Sequence, residues 1–119
     1  MTFEKHLVDP AALVFNGTTG GAAKGTLVSR LVPGTLDAST PVWRFAFEWD
    51  VTAKAPSKSF VAITTGTFDT TTGAVIMEGS VVSGWHVGAP VHEEGQLIDA
   101  STFTFAGELV ILPGRGDDD

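Results

Sequence analysis

Cysteine is absent from the 119-residue chain, which excludes disulfide bonds and thiol catalysis. Cations are also scarce: 7 Lys and Arg stand against 14 Asp and Glu, giving a net charge of -7 with neutral His. The cations form no cluster along the sequence, whereas proteins that bind a phosphate backbone carry clustered Lys and Arg. We therefore expect no nucleic-acid partner.

Long hydrophobic runs are missing as well. The longest apolar runs are only a few residues, far short of the roughly 20 residues with which a helix spans a bilayer. Near the start of the chain, Glu4 is acidic where a secretion signal has its basic segment. We expect a cytoplasmic protein without a membrane partner.

The composition that remains is that of a folded domain. Hydrophobic residues make up 43% of the chain and charged residues 18%, which lies well outside the low-hydrophobicity, high-charge range of disordered proteins. The length suits one core and is too small for two. We expect a single domain over 1–119, with an N-terminal segment at about 1–11 and an acidic flexible tail at 114–119.

From about residue 12 onward, runs rich in Val, Thr, Phe and Trp alternate with clusters of Gly, Pro, Asp and Ser. This pattern is typical of many short antiparallel strands, and no segment has a helical apolar stripe. About seven to eight strands are expected. The clearest is at 42–51, the others are at 23–32, 59–68, 74–83, 90–98 and 102–112, and a shorter strand is expected near 13–15. A turn is expected at 16–21. A meander of this kind must close or stack to protect its edges, and we predict an all-β, calycin-like barrel.

The strand at 42–51 carries an aromatic face. Trp43, Phe45, Phe47 and Trp49 alternate with polar or small residues, and a period of two places them on one side of an extended chain. In a small barrel, such a face either fills the lumen or lines an apolar cavity. We take these four residues as candidate ligand contacts, and we add Trp85 and Met77.

The segment 84–96 is the richest in groups that transfer protons. If the strand at 90–98 is regular, Glu93 lies on its more apolar face and His92 on the other. Burial would then raise the pKa of Glu93 toward the range useful for acid/base catalysis. The alternative is a carboxylate at a solvated rim. His92 and His86 are further candidate catalytic residues, or else ordinary rim histidines.

The same segment also contains side chains of the types that bind metals. His86, His92 and Glu94 are ligand types that zinc accepts, but Gly88 and Pro90 interrupt the spacing between them. We predict no metal and no cofactor.

The strand at 59–68 is apolar on both faces. Val61 and Ile63 lie on one side, and Phe60, Ala62 and Phe68 lie on the other. Such a strand usually has its outer face covered as well, which favours a homo-oligomer.

Three segments carry a resemblance to a known superfamily. The hairpin at 66–75 (Gly-Thr-Phe-Asp-Thr-Thr-Thr-Gly-Ala-Val), the stretch at 79–84 and the closing stretch at 102–107 resemble the calycin-type barrels of the allene oxide cyclase and dirigent superfamily. The likeness covers roughly residues 15–112 as a pattern of strands and glycines and contains no catalytic signature. It implies a barrel whose lumen binds a hydrophobic small molecule and directs its cyclisation, isomerisation or coupling.

The sequence thus leads to one function and two alternatives. The first is a cofactor-free isomerase or cyclase that holds an apolar substrate in the barrel lumen and uses Glu93 as acid/base. The second is a non-catalytic carrier or sensor of a hydrophobic ligand. The third is a structural oligomer with a filled lumen.

Overall fold

The computed structural model describes residues 1–112, which form a closed antiparallel barrel of eight strands. Each strand pairs with the next along the chain, and β1 pairs with β8 to close the wall. The strands are β1 (Thr2–Asp9), β2 (Val14–Gly20), β3 (Gly25–Leu31), β4 (Val42–Ala53), β5 (Phe60–Asp69), β6 (Ala74–Gly84), β7 (Pro90–Asp99) and β8 (Thr104–Ile111). A single 3₁₀ turn at Pro56–Lys58 lies between β4 and β5. The predicted all-β barrel is confirmed, and the predicted tail at 114–119 lies outside the described residues.

Side-chain alternation along each strand separates the lumen from the outer surface. On β4, Phe47, Trp49 and Val51 are at most 5% exposed and belong to one core cluster. Between them, Glu48 lies on the outer face, where its Oε1 accepts a 2.9 Å hydrogen bond from Arg30. The aromatic face predicted for this strand therefore points inward. Nothing in residues 1–112 forms a helix long and apolar enough to cross a membrane.

The first two strands differ from the sequence prediction. Residues 2–9 form β1, although the strand pattern was expected to begin only near residue 12. Residues 16–20, expected to form a turn, continue β2, and the turn lies at 21–24 instead. Asn16, Gly17 and Gly20 are weak strand formers on their own, but the ladders to β1 and β3 hold this segment extended on both sides.

Two glycines allow neighbouring strands to approach closely. A Cβ at Gly66 would overlap the carbonyl oxygen of Ile76, and one at Gly79 would overlap that of Ile63. Both positions lie in the β5–β6 ladder. Any larger residue would push this part of the wall apart.

The two ends of the barrel are closed to different degrees. The β2–β3, β4–β5 and β6–β7 connections lie at one end, where Ala23, Ala53, Phe60 and Ala89 are each at most 6% exposed. We call this the sealed end. The other four connections surround the mouth, where the side chains over the lumen are only half-buried: Leu13, Trp43, Phe45 and Phe103.

The two faces of β5 are not equally buried. Phe60, Ala62 and Phe68 lie in the lumen, at 2%, 0% and 3% exposure, whereas Val61 and Ile63 are half-buried on the outer face. Association into a homo-oligomer through that face stays a prediction.

Candidate functional site in the barrel lumen

A cavity lies in the mouth half of the lumen. The volume open to the centre of a water molecule is about 30 Å³, which is room for one or two waters. Its walls are apolar except for two ionisable side chains, Lys5 from β1 and Glu93 from β7. The aromatic rings at the mouth are packed over these two groups.

Glu93 is the buried carboxyl group of the lumen. Its neighbours His92 and Glu94 point outward, and Glu93 itself is 1% exposed, so the predicted inward orientation holds. Its Oε1 is buried and has no hydrogen-bond partner. Burial raises the pKa of Glu93, while the charges of Lys5 and, to a smaller degree, His92 act in the opposite direction.

The absence of a side chain at Gly95 makes room for the carboxyl group of Glu93. Gly95 lies two residues further along β7 on the same face, and a Cβ there would sit 3.2 Å from Glu93 Oε2 and 3.2 Å from the Phe3 ring. Contacts this short require the neighbouring atoms to shift.

Lys5 is the site residue that the sequence analysis missed. The alternation of β1 turns Phe3 and Lys5 inward and Glu4 outward, and Lys5 is only 6% exposed. Its Nζ donates a 3.2 Å hydrogen bond to Ser29 Oγ. Burial lowers the pKa of Lys5, and the nearby charge of Glu93 opposes that effect.

Aromatic rings surround the Lys5 amino group. Nζ lies 4.3 Å from the ring centroid of Trp49, 5.0 Å from that of Phe15, 5.2 Å from that of Phe47 and 5.7 Å from that of Phe3. Ring faces at these distances attract a cation and exclude water from the amine. The polar pair of the lumen is therefore held in an otherwise apolar environment.

The other predicted ligand contacts divide between three places. Trp43, Phe45, Phe47 and Met77 line the cavity. Trp49 is fully buried beside it, and its Nε1 donates a 3.1 Å hydrogen bond to Thr64 Oγ1. Trp85 lies at the sealed end, where its ring packs 6.4 Å from that of Phe60.

The mouth contains strained backbone. Leu13 and Phe103 have φ values of 51° and 52°, in the left-handed region that costs a residue with a Cβ about 1–2 kcal/mol. Each is the last residue of a four-residue connection that follows an aspartate, and Gly73 takes the equivalent place, with φ 80°, in the β5–β6 turn. Both of these side chains line the cavity. A third non-glycine residue with positive φ, His86 at 58°, lies in the β6–β7 turn at the sealed end.

The same end carries an aspartate in every connection. The Oδ1 atoms of Asp9, Asp37, Asp69 and Asp99 each accept a hydrogen bond from the backbone N–H two residues further on. Hydrogen bonds from Ser39, Thr71 and Ser101 lower the pKa values of the last three. The connections of the sealed end contain no acid and carry three lysines: Lys24, Lys54 and Lys58. Among the connections within residues 1–112, those at the mouth therefore carry the negative charge and those at the sealed end the positive charge.

The two predicted catalytic histidines lie outside the cavity. His92 is on the outer surface, with Nε2 2.8 Å from Glu94 Oε2 and Nδ1 3.2 Å from Glu78 Oε2, and these two hydrogen bonds raise its pKa. His86 is in the β6–β7 turn at the sealed end, and its ring centroid lies 4.2 Å from that of Trp85. The structure therefore does not bring either histidine to Glu93.

Within the part of the chain described, no group of three His, Cys, Asp or Glu side chains is placed to hold a metal ion. No protein-family model matches the chain, and neither a curated protein nor a solved structure matches it. The likeness to allene oxide cyclase and dirigent barrels thus stays a resemblance of sequence pattern, and the function is inferred from the lumen residues themselves.

Proposed function

We propose that the barrel binds a small, neutral, mainly apolar molecule in the mouth half of its lumen and that Glu93 exchanges a proton with it, as in a cofactor-free isomerisation or cyclisation. The observation that carries this proposal is the unpartnered Oε1 of a carboxyl group that is 1% exposed. A buried acceptor without a partner costs about 1–3 kcal/mol, and such groups concentrate at functional sites.

The surroundings of Glu93 suit proton transfer. Burial raises its pKa, which brings a carboxyl group closer to the pH at which it both gives up and takes back a proton. The aromatic rings above it would hold an apolar substrate and exclude water. A donor or an acidic C–H of the bound molecule would then satisfy Oε1.

Entry of a ligand requires the mouth to open. A cavity of about 30 Å³ is far below the ~300–1,000 Å³ of typical ligand pockets. Leu13 and Phe103 line it from the β1–β2 and β7–β8 turns, so these two turns are the segments that would have to move. The aspartates at the mouth disfavour an anionic ligand.

Two fluorophores with the same ring system test binding. We expect phenylnaphthylamine, which is neutral, to bind and to quench Trp43 and Trp49 fluorescence, and its sulfonated relative anilinonaphthalene sulfonate to bind at least about tenfold more weakly, a difference of about 1.4 kcal/mol. Glu94→Gln, on the outer face of the same strand, is the matched control for Glu93→Gln. Equal binding of the two dyes would contradict the proposed charge selection, and binding of neither would overturn the lumen site.

Conversion of a β,γ-unsaturated ketone, such as cyclohex-3-enone, into its conjugated isomer tests catalysis. General acid/base catalysis contributes about 10²–10⁴-fold, so Glu93→Gln should lower the rate by about 10² or more, while Glu94→Gln leaves it unchanged. If Glu93→Gln retains the full rate, the acid/base role is wrong. If wild type binds ketones and does not convert them, the barrel is a carrier.

A further inference from the structure

Lys5 is an unusual residue for a barrel lumen. Lysine is almost never fully buried without a partner, and among residues 1–112 Lys5 is the only Lys or Arg that is buried. Each of the ion pairs in this part of the chain involves Arg30 or His92, so no carboxylate oxygen lies within 4.0 Å of the Lys5 amine. Lys5 and Glu93 line the same cavity without direct contact.

We infer that Lys5 Nζ is a nucleophile that condenses with the carbonyl carbon of a neutral aldehyde or ketone held in the lumen, with Glu93 as the proton donor. This inference rests on the proposed lumen site and names its substrate class. The observations behind it are the position of Nζ at the cavity wall, its single hydrogen bond to Ser29 Oγ and the buried, unpartnered Glu93 Oε1.

The reaction needs no external reagent. The Nζ lone pair attacks the carbonyl carbon, the C=O π electrons move to oxygen, and proton transfer gives a neutral carbinolamine. The nitrogen lone pair then expels the hydroxyl group as water after Glu93 supplies its proton. The products are a protonated imine on Lys5, the Glu93 carboxylate and one water, so atoms and charge balance.

Burial is the largest influence on the pKa of both groups, and the opposite charge of each partner acts against it. Burial lowers the pKa of Lys5 and raises that of Glu93, so desolvation shifts both groups toward the uncharged amine and acid that the condensation uses. Once the imine forms, the Glu93 carboxylate would be its counter-ion. The rings of Trp49 and Phe15, whose centroids lie 4.3 and 5.0 Å from Nζ, would flank the cation.

The mouth supports the choice of a neutral carbonyl compound. Four aspartates surround the entrance, which disfavours fatty acids and other carboxylates. Lys5 and Glu93 are the ionisable side chains that line the cavity, and Trp43 adds an indole N–H donor. A ligand with one polar group on an apolar body fits this arrangement.

Reductive trapping tests the inference on the full chain. Benzaldehyde and sodium cyanoborohydride are added at neutral pH, and labelled positions are mapped by peptide mass spectrometry. Burial lowers the pKa of Lys5, and a lowered pKa leaves more free amine at neutral pH, so Lys5 should be labelled severalfold faster than Lys24 and Lys54, although these two are exposed. The N-terminal amine is left out of this comparison because α-amino groups are intrinsically more reactive than lysine.

Variants separate the chemistry from accessibility. Lys5→Met should remove the fast label, whereas Lys54→Met should change neither the labelling of Lys5 nor the binding of phenylnaphthylamine. Leu13→Gly should speed labelling of Lys5 without changing that of Lys54, because it uncovers the mouth. Glu93→Gln should slow the trapping because the proton donor is lost.

The outcomes distinguish the two proposals. If Lys5 is labelled no faster than the exposed lysines while phenylnaphthylamine still binds, the nucleophile is wrong and the lumen site remains. If neither labelling nor dye binding occurs, both proposals fail. The labelling comparison is made within wild-type protein, so it does not depend on whether a variant folds.

Discussion

The sealed end and the mouth are formed by the same eight strands, yet their connections differ in charge and their lumen side chains differ in packing. The sealed end has lysines in its connections and a lumen filled by small and aromatic side chains that are at most 6% exposed. The mouth has an aspartate in every connection, half-buried rings and two left-handed non-glycine residues. Stability is thus concentrated at one end, and the features of a binding site are concentrated at the other.

The largest effect is expected from a substitution at the sealed end. Phe60 is 2% exposed and packs against Trp85, so Phe60→Ala should lower the free energy of unfolding by about 3–5 kcal/mol. Urea denaturation followed by fluorescence measures this. A loss below about 1 kcal/mol would mean that this end is not the better-packed one.

A substitution at Gly73, in the third turn of this type at the mouth, should lower the free energy of unfolding by an intermediate amount. Gly73→Ala places a Cβ on a residue with φ 80°, only 2.6 Å from Gln96 Nε2. We expect a loss of about 1–2 kcal/mol, measured in the same denaturation series. An unchanged midpoint would show that this turn relaxes, and the strain assigned to its two counterparts would then need revision.

The strain at Leu13 predicts a smaller difference in stability, in which the glycine variant is more stable than the alanine variant. Alanine normally stabilises relative to glycine, but at φ 51° Leu13→Gly should be more stable than Leu13→Ala by about 1 kcal/mol. Phe103→Gly and Phe103→Ala should follow the same order. If alanine is the more stable residue at both positions, neither turn is strained.

Acid should loosen the mouth before the sealed end, and this is the smallest effect. The pKa values of Asp37, Asp69 and Asp99 are lowered by hydrogen bonds to their turns. Their stabilisation is therefore present above the ordinary pKa of 3.8 and is lost as the pH falls through the lower folded values. The measurement is the protection factor of backbone amides in hydrogen exchange at acid pH. Asp99→Ala should remove most of the pH dependence of the protection factors in the β7–β8 turn and leave those in the β6–β7 turn unchanged.

The parts of the fold that follow from alternation were predictable. Trp43 to Trp49 and Glu93 face the lumen because a period of two on an extended chain admits one inward face, and both strands carry a clear apolar set on that face. The turn at Asp69 to Gly73 was predictable for a similar reason, since Asp and Gly have specific backbone roles there.

Lys5 was not predictable from composition alone. Glu4, Lys5 and His6 in succession read as a solvated segment, and burial of a lysine is rare. The available signal was the alternation of Phe3, Lys5 and Leu7 on one face, which becomes meaningful only once β1 pairs with β2 and β8. The strained turns at Leu13 and Phe103 were hidden because Leu and Phe rarely occupy left-handed positions.

The pairing of β1 with β8 gives the wall a seam between segments that are far apart in the chain, with Thr2 opposite Glu108. The other seven ladders join strands that are neighbours in sequence. Each of these ladders can form as soon as its two strands have been synthesised. The β1–β8 ladder cannot form until β8 has been synthesised. Before that, the sheet has two unpaired edges that can pair with other chains. Emergence of β8, rather than formation of any hairpin, is therefore the step that pairs both edges of this barrel and removes them as sites of aggregation.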